Sequence, residues 1–227
     1  MIRFRPPVVA LALILLRSWP AAQPLQDSSV FQGGIPDRSG LIFMALHPEM
    51  TVAYDGKTGA LFKAWKGRAE RSMETAPTNE SFYRVKGPFY YRQNSSNPWT
   101  VRNKKGEVLV TPKFDKVIQV EGHSALRTFL HLPQGRKITV LEFPGFDDHY
   151  GDNALRRNFS FAGIPPGFTV NLILSGEGMA EIWGGGGAGQ LEKSPQGQWR
   201  LVQSEDGESP LKVTWSEPKK TPGKAPF

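Results

Sequence analysis

The sequence predicts an all-β fold: a β-sandwich of jelly-roll or galactose-binding type, with little or no helix. Three observations predict it. Short runs of β-branched and aromatic residues recur along the chain, and such residues suit a pleated, half-buried surface. Gly and Pro, 24 and 19 of the 227 residues, punctuate those runs at short intervals, as many-stranded folds require. No stretch sustains the apolar period of a helix.

The N-terminus reads as an export signal. Arg3 and Arg5 give a basic start, residues 8–16 (VVALALILL) form an apolar run too short to span a bilayer, and Trp19-Pro20-Ala21-Ala22 supplies small residues for cleavage after Ala22. The expected mature protein is periplasmic or secreted and keeps no stable membrane span. The alternative is an uncleaved anchor, against which Arg17 interrupts the run. With no cysteine in the chain, stability must come from an ordinary core rather than from disulfides. The formal charge of +7 falls to +4 once Arg3, Arg5 and Arg17 leave with residues 1–22, giving 25 basic against 21 acidic side chains. The basic residues are scattered, so no nucleic-acid partner is expected.

Taken in order, residues 23–39 are polar and turn-prone, a linker with an entering edge strand at 29–31. Residues 41–46 form a strand ended by His47-Pro48, and the runs 50–54 and 60–65 form a hairpin across Asp55-Gly56-Lys57-Thr58-Gly59. Its glycines supply positive φ cheaply. Residues 67–80 lack a period and read as a surface loop. Short aromatic strands follow at 81–85 and 89–92, then a hairpin of 99–102 with 108–112. Runs 114–121, 125–132 and 137–144 alternate more regularly, with 158–162, 168–174, 180–183, 198–203 and 211–215 after them. The domain is thus expected over 40–215, as one sandwich with halves at 40–112 and 113–215, and the Pro- and Lys-rich tail 216–227 as disordered.

Gly56-Lys57-Thr58 is not a phosphate loop. The motif needs Gly at position 51, which is Thr51, and a following helix where a strand stands. The residues around it resemble something else. Ala45, Leu46, Val52, Ala53, Tyr54, Asp55, Gly59, Leu61, Phe62, Lys63, Ala64, Trp65, Lys66 and Gly67 resemble a "VAYD…G-LYKAWKG" segment of large secreted bacterial proteins. In those proteins it accompanies c-type cytochrome and quinoprotein sugar-dehydrogenase-like modules. Thr51, Phe62 and Arg68 stand where that segment usually has Trp, Tyr and a second Gly. The resemblance implies a β-rich accessory module in an extracytoplasmic, sugar-related setting, and carries over no catalytic residue.

The residues themselves offer three chemistries. Flat aromatic faces stack on sugar rings, and Tyr54, Trp65, Tyr90, Tyr91 and Trp99 are the candidate ligand-binding residues in an aromatic-dense first half; the bland reading is that they fill the core. Tyr90-Tyr91 stands out because adjacent strand residues point to opposite faces. Asp147, Asp148 and Asp152, in a Gly-rich loop with His149, Tyr150 and Asn153, are candidate oxygen ligands for Ca²⁺, though their spacing fits no recognised calcium loop. Glu121 with Glu142, or Glu121 with Asp147, would be paired carboxylates for glycoside hydrolysis. His47, His123, His131 and His149 are not at zincin spacing, and neither a Gly-x-Ser-x-Gly elbow nor a thiol nucleophile is present. The expectation is therefore a non-catalytic binding module, with a carbohydrate or an envelope protein as partner and no cofactor beyond the candidate Ca²⁺. The alternatives are a glycan hydrolase and a structural partner of a periplasmic electron-transfer or dehydrogenase complex.

Overall fold

The computed structural model describes residues 30–215, apart from 37, 76–80, 86, 88, 94, 96, 148–153, 175, 178, 185–187 and 195–197. The chain is all-β, as its pattern predicts. Its strands are β1 (Val30–Ile35), β2 (Arg38–His47), β3 (Met50–Asp55), β4 (Leu61–Lys66), β5 (Ala69–Thr75), β6 (Ser81–Val85), β7 (Phe89–Gln93), β8 (Trp99–Asn103), β9 (Gly106–Val108), β10 (Thr111–Val120), β11 (His123–His131), β12 (Lys137–Asp147), β13 (Ala154–Ala162), β14 (Thr169–Leu174), β15 (Gly176–Glu177), β16 (Met179–Gly184), β17 (Gly189–Lys193), β18 (Trp199–Gln203) and β19 (Gly207–Trp215). Helical structure among the described residues amounts to one 3₁₀ turn, Pro133–Gly135.

Three sheets form. The first has the order β15-β7-β4-β3-β2-β1-β6-β5, the second β10-β11-β12-β13-β19-β16, and the third β17-β18-β14-β8-β9. β1 to β4 and β10 to β13 run as antiparallel meanders of sequential neighbours.

The six-stranded sheet is the platform. Its inward residues follow a period of two, as in Leu126-Thr128-Leu130 on β11, Ile138-Val140-Glu142-Pro144 on β12 and Leu155-Arg157-Phe159-Phe161 on β13. Part of this face packs on the five-stranded sheet, where Leu130, Val140, Phe159 and Phe161 meet Trp99, Val101, Val170 and Leu172. The remainder packs on the eight-stranded sheet, where Leu126 and Leu155 meet Met44, Val52, Tyr54 and Tyr91. The platform therefore carries two partners side by side on one face, in sandwich fashion. The other face of the eight-stranded sheet is closed over by its own β5–β6 end, with Tyr83 and Val85 against Phe43 and Trp65.

The β3–β4 turn is tied to the platform. Phe114 N–H donates to the Lys57 carbonyl at 2.8 Å, and Gly59 lies so close to β11 that a Cβ there would sit 2.1 Å from Thr128 Oγ1. Gly59 also holds φ +69°. Two independent constraints thus require glycine at this position.

Two regions differ from expectation. Residues 67–80 contain β5, which has no apolar period because it is the edge strand, paired only with β6. Its entry is fixed by buried Thr51, whose Oγ1 donates to the Gly67 carbonyl at 2.8 Å and accepts from Ala69 N–H at 3.2 Å. β12 and β13 extend past 144 and before 158 into the Gly- and Asp-rich stretch, because Gly145 makes room for Arg156 of the neighbouring strand, whose Nη2 would lie 2.9 Å from a Cβ. The entering strand is β1, which begins at Val30 and pairs with both β2 and β6. Residues 1–29 and the tail 216–227 lie outside the described residues.

Substitution of Gly59 by Ala is expected to cost clearly more than Gly122→Ala. Gly122 has a similar φ of +80° but open space around it, so its variant should lose only the left-handed penalty of about 1–2 kcal/mol. Urea unfolding of both variants, and of Gly59→Ala/Thr128→Ala, measures the difference, and the double variant should recover part of it. Equal costs at the two glycines would refute the close-approach account.

Candidate functional site

All five aromatics expected to bind sugar are in the interior. Tyr54, Trp65, Tyr90, Tyr91 and Trp99 are each at most 6% exposed. Trp65 packs on Phe43 with ring centres 6.3 Å apart, and Trp99 stands edge-on to Phe159 and Phe161, each at 6.1 Å. Tyr90 and Tyr91 both pack into the core against the eight-stranded sheet, so neither ring of the pair presents a stacking face to solvent. These five residues form core and do not form a surface strip. The reason is architectural: the strands that carry them are covered.

Two of them belong to a buried polar junction. Glu142 on β12 takes a bidentate pair of hydrogen bonds from Arg157 on β13, Nε to Oε1 at 2.7 Å and Nη2 to Oε2 at 2.9 Å. Tyr54 on β3 donates its hydroxyl to the same Oε1 at 2.7 Å. Tyr91 on β7 donates to Gln93 Oε1, and Gln93 Nε2 donates to the Ile173 carbonyl of β14 at 3.0 Å. Residues of all three sheets thus meet here, all at least nine-tenths buried apart from Ile173, which gives only its carbonyl.

The electrostatics follow from that burial. For Arg157, burial alone would lower the pKa, but the charge of Glu142 outweighs it and raises the value, so the guanidinium is permanently charged. Burial is also the main cause that pushes the Tyr54 hydroxyl well above its usual range, with the Glu142 charge adding to it. The Tyr91 hydroxyl is pushed up to about 12, chiefly by burial, with Arg157 pulling it down and Glu142 pushing it up. A charge-neutral, bidentate pair buried this deeply is built to hold sheets together.

Of the expected carboxylate pairs, Glu121 with Glu142 does not assemble. Glu142 faces inward and is committed to Arg157, whereas Glu121 is exposed in the β10–β11 turn with φ +50°. Asp147 lies on the opposite face of β12 from Glu142 and pairs with Lys212 at 3.1 Å. Asp148, Asp152 and His149 lie outside the described residues, and among the described residues no three His, Cys, Asp or Glu side chains cluster as metal ligands would. His47 stacks on Phe146 at 4.2 Å and His131 stands edge-on to Phe129 at 6.2 Å; His123 is exposed at the start of β11.

The outward face of the six-stranded sheet is different in kind. Its register places Lys113 beside Phe129 and Thr139, Lys116 beside Arg127, Leu141 and Ser160, and Phe143 beside Asn158. Phe129, Leu141 and Phe143 are each partly exposed. Lys137 Nζ stands 4.2 Å and Arg127 Cζ 5.5 Å from the Phe129 ring centre. Nearby, Arg156 Nε and Asn158 Oδ1 are buried without a hydrogen-bond partner. Sequence reading missed this face because it weighed aromatics in the first half, whereas Phe129 and Phe143 are isolated in alternating runs. No family model, curated protein or solved structure matches this chain. No helix among the described residues is long and apolar enough to cross a membrane.

Arg157→Met leaves the Glu142 carboxylate buried without its counter-charge and is expected to cost about 3–5 kcal/mol. Glu142→Leu/Arg157→Met should cost less than Arg157→Met alone, as read by urea unfolding; a double variant less stable than the single one would contradict this. A second expectation concerns pH. From about pH 10 the unfolded chain releases its tyrosine protons, while native Tyr91 keeps its own until about 12. Rising pH therefore favours unfolding, and this contribution, complete below pH 10, falls away by up to about 1.4 kcal/mol per pH unit. Tyr91→Phe should show a shallower loss of stability between pH 9.5 and 11.5. An unchanged slope would mean that Tyr91 does not stay protonated there.

Proposed function

We propose that this protein is an exported, non-catalytic binding module, and that its ligand is a carbohydrate held on the outward face of the six-stranded sheet. One observation carries the reading: that face leaves Phe129, Leu141 and Phe143 partly exposed among side chains that can hydrogen-bond. Sugars present both an apolar C–H edge and a rim of hydroxyls, so they suit a surface of mixed character of this kind. The resemblance of residues 45–67 to an accessory segment beside sugar-dehydrogenase-like modules points the same way, as does the signal-like N-terminus.

A glycan hydrolase is less favoured, since both residues suggested as partners for Glu121 are engaged elsewhere, Glu142 with Arg157 and Asp147 with Lys212. A purely structural partner in an envelope complex would need an apolar docking patch. Among the described residues the exposed large apolar side chains are Val30 and Leu109, which lie on separate strands and connections.

The test is a glycan array probed with protein recovered from the extracytoplasmic fraction, whose N-terminus is expected at Gln23. Phe129→Ala and Phe143→Ala should each weaken binding by about tenfold or more while leaving the thermal midpoint within a few degrees. Folded protein that binds no glycan, or binds as tightly with both aromatics removed, would overturn the reading.

A further inference from the structure

We infer that the glycan bound on this face is anionic, carrying carboxylate or sulfate groups; the inference rests on the carbohydrate-binding reading above. The argument is one of charge. Three basic residues and one acidic residue lie before position 30, and three basic and one acidic after 215. Between them remain 22 basic and 19 acidic side chains, an excess of three.

The outward face carries two of that excess of three. By register its cations are Lys113, Lys116, Arg127, Lys137, Arg156 and Lys212, set against Asp115, Asp147, Glu181 and Glu208. Two of those carboxylates are already engaged, Asp115 with Arg127 at 2.5 Å and Asp147 with Lys212 at 3.1 Å. Lys113, Lys116, Lys137 and Arg156 have no carboxylate partner among the described residues, and Glu181 and Glu208 are left on the face to oppose them. The sheet register is what gathers these four. They come from three strands, Lys113 and Lys116 from β10, Lys137 from β12 and Arg156 from β13. Strands lie about 4.8 Å apart, so Lys113 and Lys137 stand a Debye length of about 10 Å from each other, with Arg156 further along the same face.

Placement relative to the aromatics supports a sugar polyanion over a simple ion. Lys113 is the register partner of Phe129, and Lys137 stands over the same ring. One ligand can therefore lay an apolar edge on Phe129 and place anionic groups on either side of it. At the other end of the face, Arg156 crosses over Gly145, and its Nε and the Oδ1 of Asn158 have no protein partner.

The experiment measures binding of the purified protein to a polyuronate and to its carboxyl-reduced, neutral counterpart, to a sulfated glycan and its desulfated form, and to polyglutamate. Each is measured at about 50 and 500 mM salt. The anionic glycans should bind at least tenfold more tightly than their neutral counterparts, and weaken at high salt. Lys113→Glu/Lys137→Glu should reduce binding at least tenfold, whereas Lys104→Glu/Lys105→Glu, the same charge change at the exposed β8–β9 turn, should reduce it far less. Equal binding of neutral and anionic forms would overturn the inference and leave the carbohydrate reading standing. Binding of polyglutamate as tightly as the polyuronate would overturn the sugar reading. Equal losses in the two double variants would overturn the assignment to this face.

Discussion

Taking a carboxylate and a guanidinium out of water costs several kcal/mol for each ion, and the cost is recovered only when geometry and hydrogen bonding are nearly complete. The Glu142–Arg157 pair meets that condition with two short bonds between them and a third from Tyr54. It does so at the seam where the eight-stranded and five-stranded sheets lie side by side on the platform. An apolar filling of the same volume would tolerate small slides of one sheet past another. The bidentate pair does not, because a displacement of an ångström would leave a buried charge short of a partner. The position of Tyr54, and with it β3, is therefore tied to β12 and β13 by directional contacts, while the apolar clusters around it supply most of the driving force.

A second contact extends the same constraint to the turn. Thr128 is inward on β11, and its Oγ1 occupies the space that a side chain at residue 59 would need. The hydrogen bond from Phe114 to the Lys57 carbonyl fixes the turn against β10 as well. Asp55 organises the loop from within. Its Oδ1 accepts from Lys57 and Thr58 N–H, and its Oδ2 accepts from Arg38 at 2.5 Å. Burial alone would raise the pKa of this carboxyl, but the Arg38 contact, together with the turn N–H groups, lowers it. This segment is thus a docking hairpin: Gly59 and Asp55 have structural work at a sheet contact.

The sandwich class and most strand positions were legible in the sequence, because alternation and turn residues act locally. Connectivity was not, since sheet order depends on pairings between distant segments. The edge strand β5 was illegible for a different reason: a strand paired on one side, with polar residues at Glu70, Arg71 and Ser72, has no apolar period to display. The junction was legible in principle. Glu142 stands in phase with Ile138 and Val140, and Arg157 in phase with Leu155, Phe159 and Phe161. One opposite charge at an inward position of each of two successive strands is the signature of a buried pair, because a lone buried charge would not be tolerated.

The aromatics show why residue type alone misleads about binding. An aromatic buries a large area, and strands covered on both faces give it nowhere else to point. Tyr54 and Tyr91 have even their hydroxyls engaged inside the protein. Whether a ring faces solvent is decided by how many layers cover its strand, and this is a property of the assembled sheets. Among the described residues, the outward face of the six-stranded sheet keeps Phe129, Leu141 and Phe143 partly exposed, so its alternate residues are the ones free to act. Those residues are rich in Lys and Arg, with Gly145 small enough to let a long side chain lie flat. In the sequence the same cations are scattered and form no concentrated stripe. The antiparallel register brings them onto one surface, and it is that surface, rather than the aromatic-dense first half, on which an argument about ligands must rest.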